Sequence, residues 1–445
     1  MLIMIMDHVV RMINNMFKKI LKNKVFKNVS WIIIGKIVQM AISLLVGMLT
    51  ARYLGPSNYG IIGYITSYVT FINAFCTLGL NNIIIKMLID NKNEQGEYIY
   101  TSIIMKFISS IISTIILNIV IFLMHSNDKE MIIVSILSSI SILFNSTDII
   151  NYWYQSKLES KKISIITTVA YIISAIYKVT VIFLEKNVAW VAFATTLDAI
   201  IIAITLIFMY KKDKGQKLKF SLSKVHILIK NSYHFILSGI MVSIYAQMDK
   251  IMIGQILNVT EVGYYTTAVT ISVLWSFIPN AIIETANPII TEEKKNDNNK
   301  YIKKVKQLYS AIVYLAIIYS LFVTIFAKYI VIILYGAKYI KAIPVLRIIV
   351  WYSAFSFLGV AKNIWLICEG KQKYEKWFTL LGALTNLVLN FTLIPKYGII
   401  GAAIATLITQ IATNFIFPII FKETRINSKY IVEAINPKYL INLLK

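Results

Sequence analysis

Ten charged side chains lie inside long apolar runs, where charge is expensive. Six are basic, Lys36, Lys106, Lys178, Lys328, Arg347 and Lys362, and four are acidic, Asp148, Asp198, Asp249 and Glu284. An unpaired charge at the centre of a bilayer costs about 2.5–3.5 kcal/mol or more, so each must face protein, water or a partner. A basic excess in such surroundings suits an anion that has to leave water. Lys and Arg would give such an anion charge-assisted hydrogen bonds. Lys36 has Gln39 about one turn further along, so both can face one side of a helix. Lys178 sits deep in its run with Tyr171 and Tyr177 nearby. The candidates for substrate binding are therefore Lys36, Gln39, Arg52, Lys178, Arg347 and Lys362. Arg52, Arg347 and Lys328 fall near run ends, where an interfacial anchor competes with a ligand role. Lys106 and Lys362 are close enough to run ends for their amines to snorkel to the headgroups.

The acids suggest ion pairing or coupling to a cation. Asp198, midway along its run, could pair with Lys178 on the neighbouring helix or exchange a proton or cation. Asp249 and Lys250 together close a run, as a local ion pair would. Asp148 and Glu284 complete this set, and Glu284 lies in a polar break with Pro279, Asn280 and Asn287. Asn81, Asn82, Asn118, Asn145, Ser138, Ser139, Asn386 and Asn390 also interrupt the apolar runs. Interhelical hydrogen bonds worth ~0.6 kcal/mol each account for most of them, and the remainder suit sugar hydroxyls.

No catalytic residue and no metal site is legible. His8, His125, His226 and His234 make no HExxH spacing, and Cys76 and Cys368 form no CxxC pair. No cofactor is expected beyond a coupling ion, H+ or Na+.

The runs that hold these residues define the class. The chain has 445 residues, 58% hydrophobic and 15% charged, and a helix needs ~20 apolar residues to cross ~30 Å of hydrocarbon. Twelve spans are read, at 29–50, 61–85, 100–124, 131–154, 163–184, 188–209, 232–256, 264–290, 307–334, 344–368, 375–394 and 398–421. The fourth ends in Tyr152-Trp153-Tyr154, as an aromatic belt at headgroup depth does. Net charge is +24, but the lysines fall in loops of one side, "KLESKK", "KKDKGQKLKFSLSK", "EEKKNDNNKYIKKVK" and "KQKYEK". With both termini that side holds roughly 32 Lys and Arg against about 7 opposite, which places both termini in the cytoplasm. The second loop, "DNKNEQGEY", is the weak piece, inside yet poor in positive charge. No basic stretch interleaves with base-stacking aromatics, so nucleic acid is excluded as a partner. The first apolar run is too short for a secretory signal, and residues 8–28 read as a basic amphipathic segment on the membrane face.

The stretch "ARYLGPSNYGIIGYITSYVT", 51–70, has a second copy in "IGQILNVTEVGYYTTAVT", 253–270. Leu54 aligns with Leu257 and Gly60 with Gly263, an offset of 203. Both copies join the first and second spans of a six-span half. The organisation read from this is a basic segment 1–28, a six-helix bundle 29–210, a basic linker 211–231, a second bundle 232–421 and a tail 422–445.

The chain resembles the polysaccharide or O-antigen flippases of the multidrug/oligosaccharidyl-lipid/polysaccharide exporter superfamily. The resemblance rests on "LTARYLGPSNYGIIGY", "SGIMVSIYAQMDKIMIGQILNVTEVGYYTTA", "LYGAKYIKAIPVLRIIV" and "LTNLVLNFTLIPKYGIIGAAIAT", in the family's order across both halves. It implies an all-α polytopic membrane protein with twelve transmembrane helices in two pseudo-symmetric six-helix bundles around a central cavity. It also implies movement of undecaprenyl-diphosphate-linked oligosaccharide to the outer leaflet of the bacterial cytoplasmic membrane by alternating access. The expected partners are this lipid-linked oligosaccharide, membrane lipids, and polysaccharide polymerase and chain-length machinery. Two other functions are weighed against it. A cation-coupled drug exporter of the same superfamily should favour acids in its spans. A polysaccharide polymerase or glycosyltransferase needs a large outer loop, and the outer loops here are about a dozen residues or fewer. Flippases of the lipid-linked peptidoglycan precursor share the fold but carry two further helices not found here.

Overall fold

The computed structural model describes residues 24–444; residues 1–23, most of the expected basic amphipathic segment, lie outside the described residues. Among the described residues every regular element is helical. The chain falls into two compact units, divided in sequence between Gln247 and Met248. The first holds α1 (Lys24–Cys76), α2 (Ile84–Asp90), α3 (Gln95–Met124), α4 (Lys129–Phe144), α5 (Ile149–Ser156), α6 (Ser160–Phe183), α7 (Val188–Lys212) and most of α8 (Leu222–Ile256). The second holds the end of α8, then α9 (Val259–Ser272), α10 (Phe277–Asn296), α11 (Asn298–Tyr335), α12 (Ala342–Ile349), α13 (Tyr352–Cys368) and α14 (Glu375–Ile411). A short π-helix, Ala412–Ile416, follows, with α15 (Phe417–Ile420), α16 (Arg425–Ala434) and α17 (Pro437–Leu444).

This is a multi-pass membrane protein. Among the described residues nine helices are long and apolar enough to cross a membrane, ten if α9 and α10, bent by 46°, count as one span. Twelve were expected. The difference of two sits in α1 and in the stretch Gln372–Ile420, each of which holds two expected spans end to end across a kink. A glycine makes each kink. Gly55 (φ 72, ψ 174) and Gly398 (φ 60, ψ −142) adopt left-handed backbone where the two helices of each pair meet. Unbroken, the 53 residues of α1 would measure about 80 Å, more than twice the thickness of the hydrocarbon.

The duplicated stretch is a structural repeat. Pro56 starts the second half of α1, and Val259, 203 residues on, starts α9. Where the first copy breaks at Gly55, the second breaks at Asn258, in extended backbone (φ −170, ψ 169), whose side chain caps α9 by accepting from Glu261 N at 3.1 Å. Asp128 and Asp297 cap α4 and α11 in the same way.

Three further expectations change. The second span was read to residue 85, but α1 ends at Cys76, where Leu78 and Gly79 turn left-handed. A Cβ at Gly79 would lie 2.7 Å from the Ser232 carbonyl oxygen, so the turn is pressed onto the start of α8. Trp153 and Tyr154 form no interfacial belt; they are 2% and 0% exposed, packed with Tyr210, Leu80 and Ile84 in the core of the first unit. The linker 211–231 is helical from Leu222, and its start is fastened to the first unit. The Gln216 amide accepts from Gly96 N at 3.0 Å and donates to the Lys92 carbonyl at 2.7 Å, and Ser221 N donates to the Thr101 hydroxyl at 3.1 Å. Lys224 pairs with Glu94, so the basic linker supplies the cation that the acidic second loop lacks. Nearby, Lys162 and Tyr154 donate to Asp213 at 2.7 Å each, and these bonds hold its carboxyl below the ordinary range.

Apolar surface faces outward where lipid must lie. On α3, Ile108, Ile112, Ile115, Ile119 and Phe122 are all more than half exposed. The tail 422–445 folds back as α16 and α17 along α11, where Asn427 donates to Tyr309 at 2.6 Å and Lys306 pairs with Glu433.

Candidate functional site

The most elaborate polar site in the second unit surrounds Asp249, which α8 carries near its C-terminal end. The side chain is 8% exposed. Its Oδ1 accepts from Asn390 Nδ2 at 2.7 Å and from Asn386 Nδ2 at 3.0 Å. Its Oδ2 accepts from the Tyr265 hydroxyl at 2.5 Å and from the Thr406 hydroxyl. Asn386 and Asn390 are one turn apart on α14 and so share a face; Thr406 lies beyond the Gly398 break, and Tyr265 comes from α9. Four neutral donors thus converge on one carboxylate. The expected pair with Lys250 is not made, because consecutive residues on a helix point about 100° apart. Asn390 Oδ1 is buried with no hydrogen-bond partner. Among the described residues Asp249 makes no ion pair, so these four dipoles are what meets the carboxylate.

In the first unit Lys36 and Gln39 part company. Lys36 is exposed on α1, whereas Gln39 turns inward and donates to Thr167 at 3.0 Å and Thr168 at 3.3 Å on α6. Residues i and i+3 lie about 60° apart around the axis, enough to put one on the surface and the other in the seam. Arg52 is exposed just before the Gly55 break. Lys178 on α6 and Asp198 on α7 are half-buried and act on each other through space. They make no salt bridge: Asp198 Oδ1 is buried without a hydrogen-bond partner, and so is the Tyr177 hydroxyl.

Two lysines read as snorkelling do the opposite. Lys106 is 2% exposed and pairs with Asp148, with Asn81 Oδ1 at 3.4 Å. Lys362 is 0% exposed, 3.2 Å from Glu375 Oε2 and 3.3 Å from Asn414 Oδ1, with its amine 4.6 Å from the centre of the Phe378 ring. The enclosure of Lys362 removes it from the surface a substrate can touch. Arg347 on α12, Lys328 on α11 and Glu284 on α10 are exposed. Sequence reasoning named Asp148 but not its pairing with Lys106, and it missed Glu375 beside Lys362 and the shell around Asp249. The signal for that shell was the Asn-x-x-x-Asn spacing of "NLVLN", which puts two amides on one helical face. Among the described residues no group of three or more His, Cys, Asp or Glu could hold a metal ion.

Residues 25–294 match the family described as polysaccharide biosynthesis protein. Among curated proteins, a putative O-antigen transporter of Escherichia coli (strain K12) is 26% identical over 372 residues, 81% of this chain and 87% of that protein. A probable low-salt glycan biosynthesis flippase of Haloferax volcanii is 24% identical, over 80% of this chain and 75% of its own length. Among solved structures, the lipid II flippase MurJ in an inward closed conformation superposes with a TM-score of 0.73 at 15% identity, over 92% of this chain and 90% of its own. An inward-facing multidrug resistance MATE family transporter of the MOP superfamily gives 0.64 at 13% identity, over 89% and 96%. At these identities the structures speak for the fold.

Proposed function

Because the chain belongs to the polysaccharide biosynthesis protein family, we propose that it is a flippase for undecaprenyl-diphosphate-linked oligosaccharide repeat units. It carries them from the cytoplasmic to the outer leaflet of the bacterial cytoplasmic membrane by alternating access, for surface polysaccharide biosynthesis. It acts as a transporter and not as an enzyme, with both termini in the cytoplasm. The relatives named O-antigen transporter and glycan biosynthesis flippase, each similar over most of this chain, support the cargo class.

One observation in the structure carries the anionic cargo. The deeply enclosed lysines, Lys106 and Lys362, are matched by carboxylates, whereas Lys36 stands exposed on the membrane-crossing α1. A diphosphate stripped of water can meet that amine. Lys178 adds a second cation to the same unit.

The coupling ion belongs at Asp249. Its single negative charge calls for one monovalent cation, and the residues fit Na+ as well as H+. The carboxylate, the orphaned Asn390 Oδ1, the Asn386 Oδ1 and the Thr406 hydroxyl are all hard oxygen donors. A bound cation would supply charge neutralisation, making the site indifferent to burial in one state and open to exchange in another.

Deletion and complementation test the cargo. Cells lacking the protein should accumulate lipid-linked repeat units on the inner leaflet and lose surface polysaccharide. The Lys178→Ala protein should fail to restore it at normal membrane abundance. Unchanged polysaccharide and lipid intermediates in the deletion strain would remove the flippase reading.

A further inference from the structure

We propose that the exposed polar face of α10 is a track for the glycan part of the cargo, binding sugar hydroxyls and not phosphate; the proposal rests on the flippase reading and adds a site to it. Asn280, Glu284, Asn287 and Thr291 follow one another at i, i+4, i+7 and i+11, the spacing of one helical face, and all four are exposed. The inward face lies about a quarter-turn round the axis, with Pro279, Ile283 and Ile290 buried, the two isoleucines in the core of the second unit, while Ile278 and Ile289 on the far side are exposed.

α10 thus exposes a polar stripe beside an apolar one, unlike α3, whose outward face is isoleucine and phenylalanine. α9 and α10 together have the length and composition of a membrane span. Within hydrocarbon, a face carrying a carboxylate and two amides must meet water or a polar guest, because lipid solvates neither.

The chemistry of the face selects the guest. Thr291 spends its hydroxyl on the Asn287 carbonyl at 2.8 Å, while Asn280 and Glu284 have no protein partner among the described residues. A carboxylate and an amide side by side offer three acceptor oxygens and a donor pair, a set that vicinal hydroxyls can use. No cation stands on this face before Lys294 and Lys295 at the end of the helix. Glu284 therefore repels a diphosphate while accepting from a sugar.

The second helix of the first unit's own repeat, residues 56–76, carries a milder version. Thr66, Thr70, Asn73 and Thr77 recur at the same spacing, with Thr66 and Thr70 exposed and no charge among them.

The test uses the purified full-length protein in liposomes with two fluorescent probes, a polyprenyl diphosphate bearing an oligosaccharide and one bearing a single sugar. Glu284→Gln and the double variant Asn280→Leu/Asn287→Leu should slow the oligosaccharide probe about tenfold, the effect of losing a hydrogen bond to a charged group. The single-sugar probe should move within about twofold of the unaltered rate. Independently of rate, cysteine placed at position 280 or 287 should react with a membrane-impermeant thiol reagent and be protected by the oligosaccharide probe alone. Equal slowing of both probes overturns the assignment, as does a cysteine at either position that stays inert. If the unaltered protein moves neither probe, the transport reading itself fails and takes this one with it. If it moves both while the variants match it, only the glycan track is lost.

Discussion

Lys106 illustrates what a charge must find when a membrane protein encloses it. Its amine meets Asp148 and Asn81 on other elements, and only 3% of its side chain is accessible, against 34% for Asp148. Removing one member of a buried pair leaves the other uncompensated and costs about 3–5 kcal/mol; partial access of Asp148 to solvent places this pair at the lower end. Lys106→Met should therefore lower the thermal unfolding midpoint in detergent markedly, and Lys106→Met/Asp148→Leu should recover much of the loss. A double variant as unstable as the single one would show that the pair does not hold the helices. The sequence displayed both residues but not their meeting, because 42 positions separate them and periodicity says nothing about which turn of one helix faces which turn of another. Asp249 was visible in the same incomplete way. Three of its four donors lie 137 to 157 residues away and Tyr265 lies 16 away, and only the i, i+4 spacing of Asn386 and Asn390 announces that two amides point together.

At the scale of elements, two glycines with left-handed backbone make different demands. Gly55 has open space where a Cβ would stand, whereas at Gly79 a Cβ would meet Ser232 O, Ile236 N and Phe235 Cβ within 3 Å. Gly55→Ala should cost about 1 kcal/mol through its backbone conformation alone. Gly79→Ala should cost clearly more, since neighbouring backbone must also shift. Thermal unfolding of the two variants checks the order, and equal midpoints would mean that α8 does not press on that turn. The Gly-Pro pair made the first break legible, and apolar run length gave the class and most span positions. The kinks at Gly55 and Gly398 fall where expected spans meet, 29–50 and 61–85 in one case and 375–394 and 398–421 in the other. The Tyr-Trp-Tyr run misled. Aromatics near a helix end satisfy the rule for an interfacial belt, but Trp153 donates to Gln95 Oε1 at 3.0 Å and is enclosed by its own unit. The basic linker likewise looked like a free connector until Gln216, Ser221 and Lys224 were seen to fasten it.

Over the whole molecule, the duplication inferred from a short repeat appears again in chemistry. In each unit the helix that opens the six-span half bonds to the fifth of that half. Gln39 reaches Thr167 and Thr168 in the first, and Asp249 is reached by Asn386 and Asn390 in the second. The first contact joins neutral groups and the second is made to a carboxylate. An accessible cation, Lys36, lies on α1 of one unit, and an enclosed carboxylate lies in the other. The central claim is that Lys36 takes the diphosphate while Asp249 takes the ion that drives it. The direct measurement is flipping of a lipid-diphosphate oligosaccharide in proteoliposomes under an imposed Na+ or pH gradient. The unaltered protein should flip faster with one of the two gradients, Asp249→Asn should flip at a rate independent of both, and Lys36→Ala should keep the gradient response with weakened dependence on the diphosphate. Flipping by Asp249→Asn that still follows the gradient, or a Lys36→Ala protein with unaltered affinity for the diphosphate, would contradict the account.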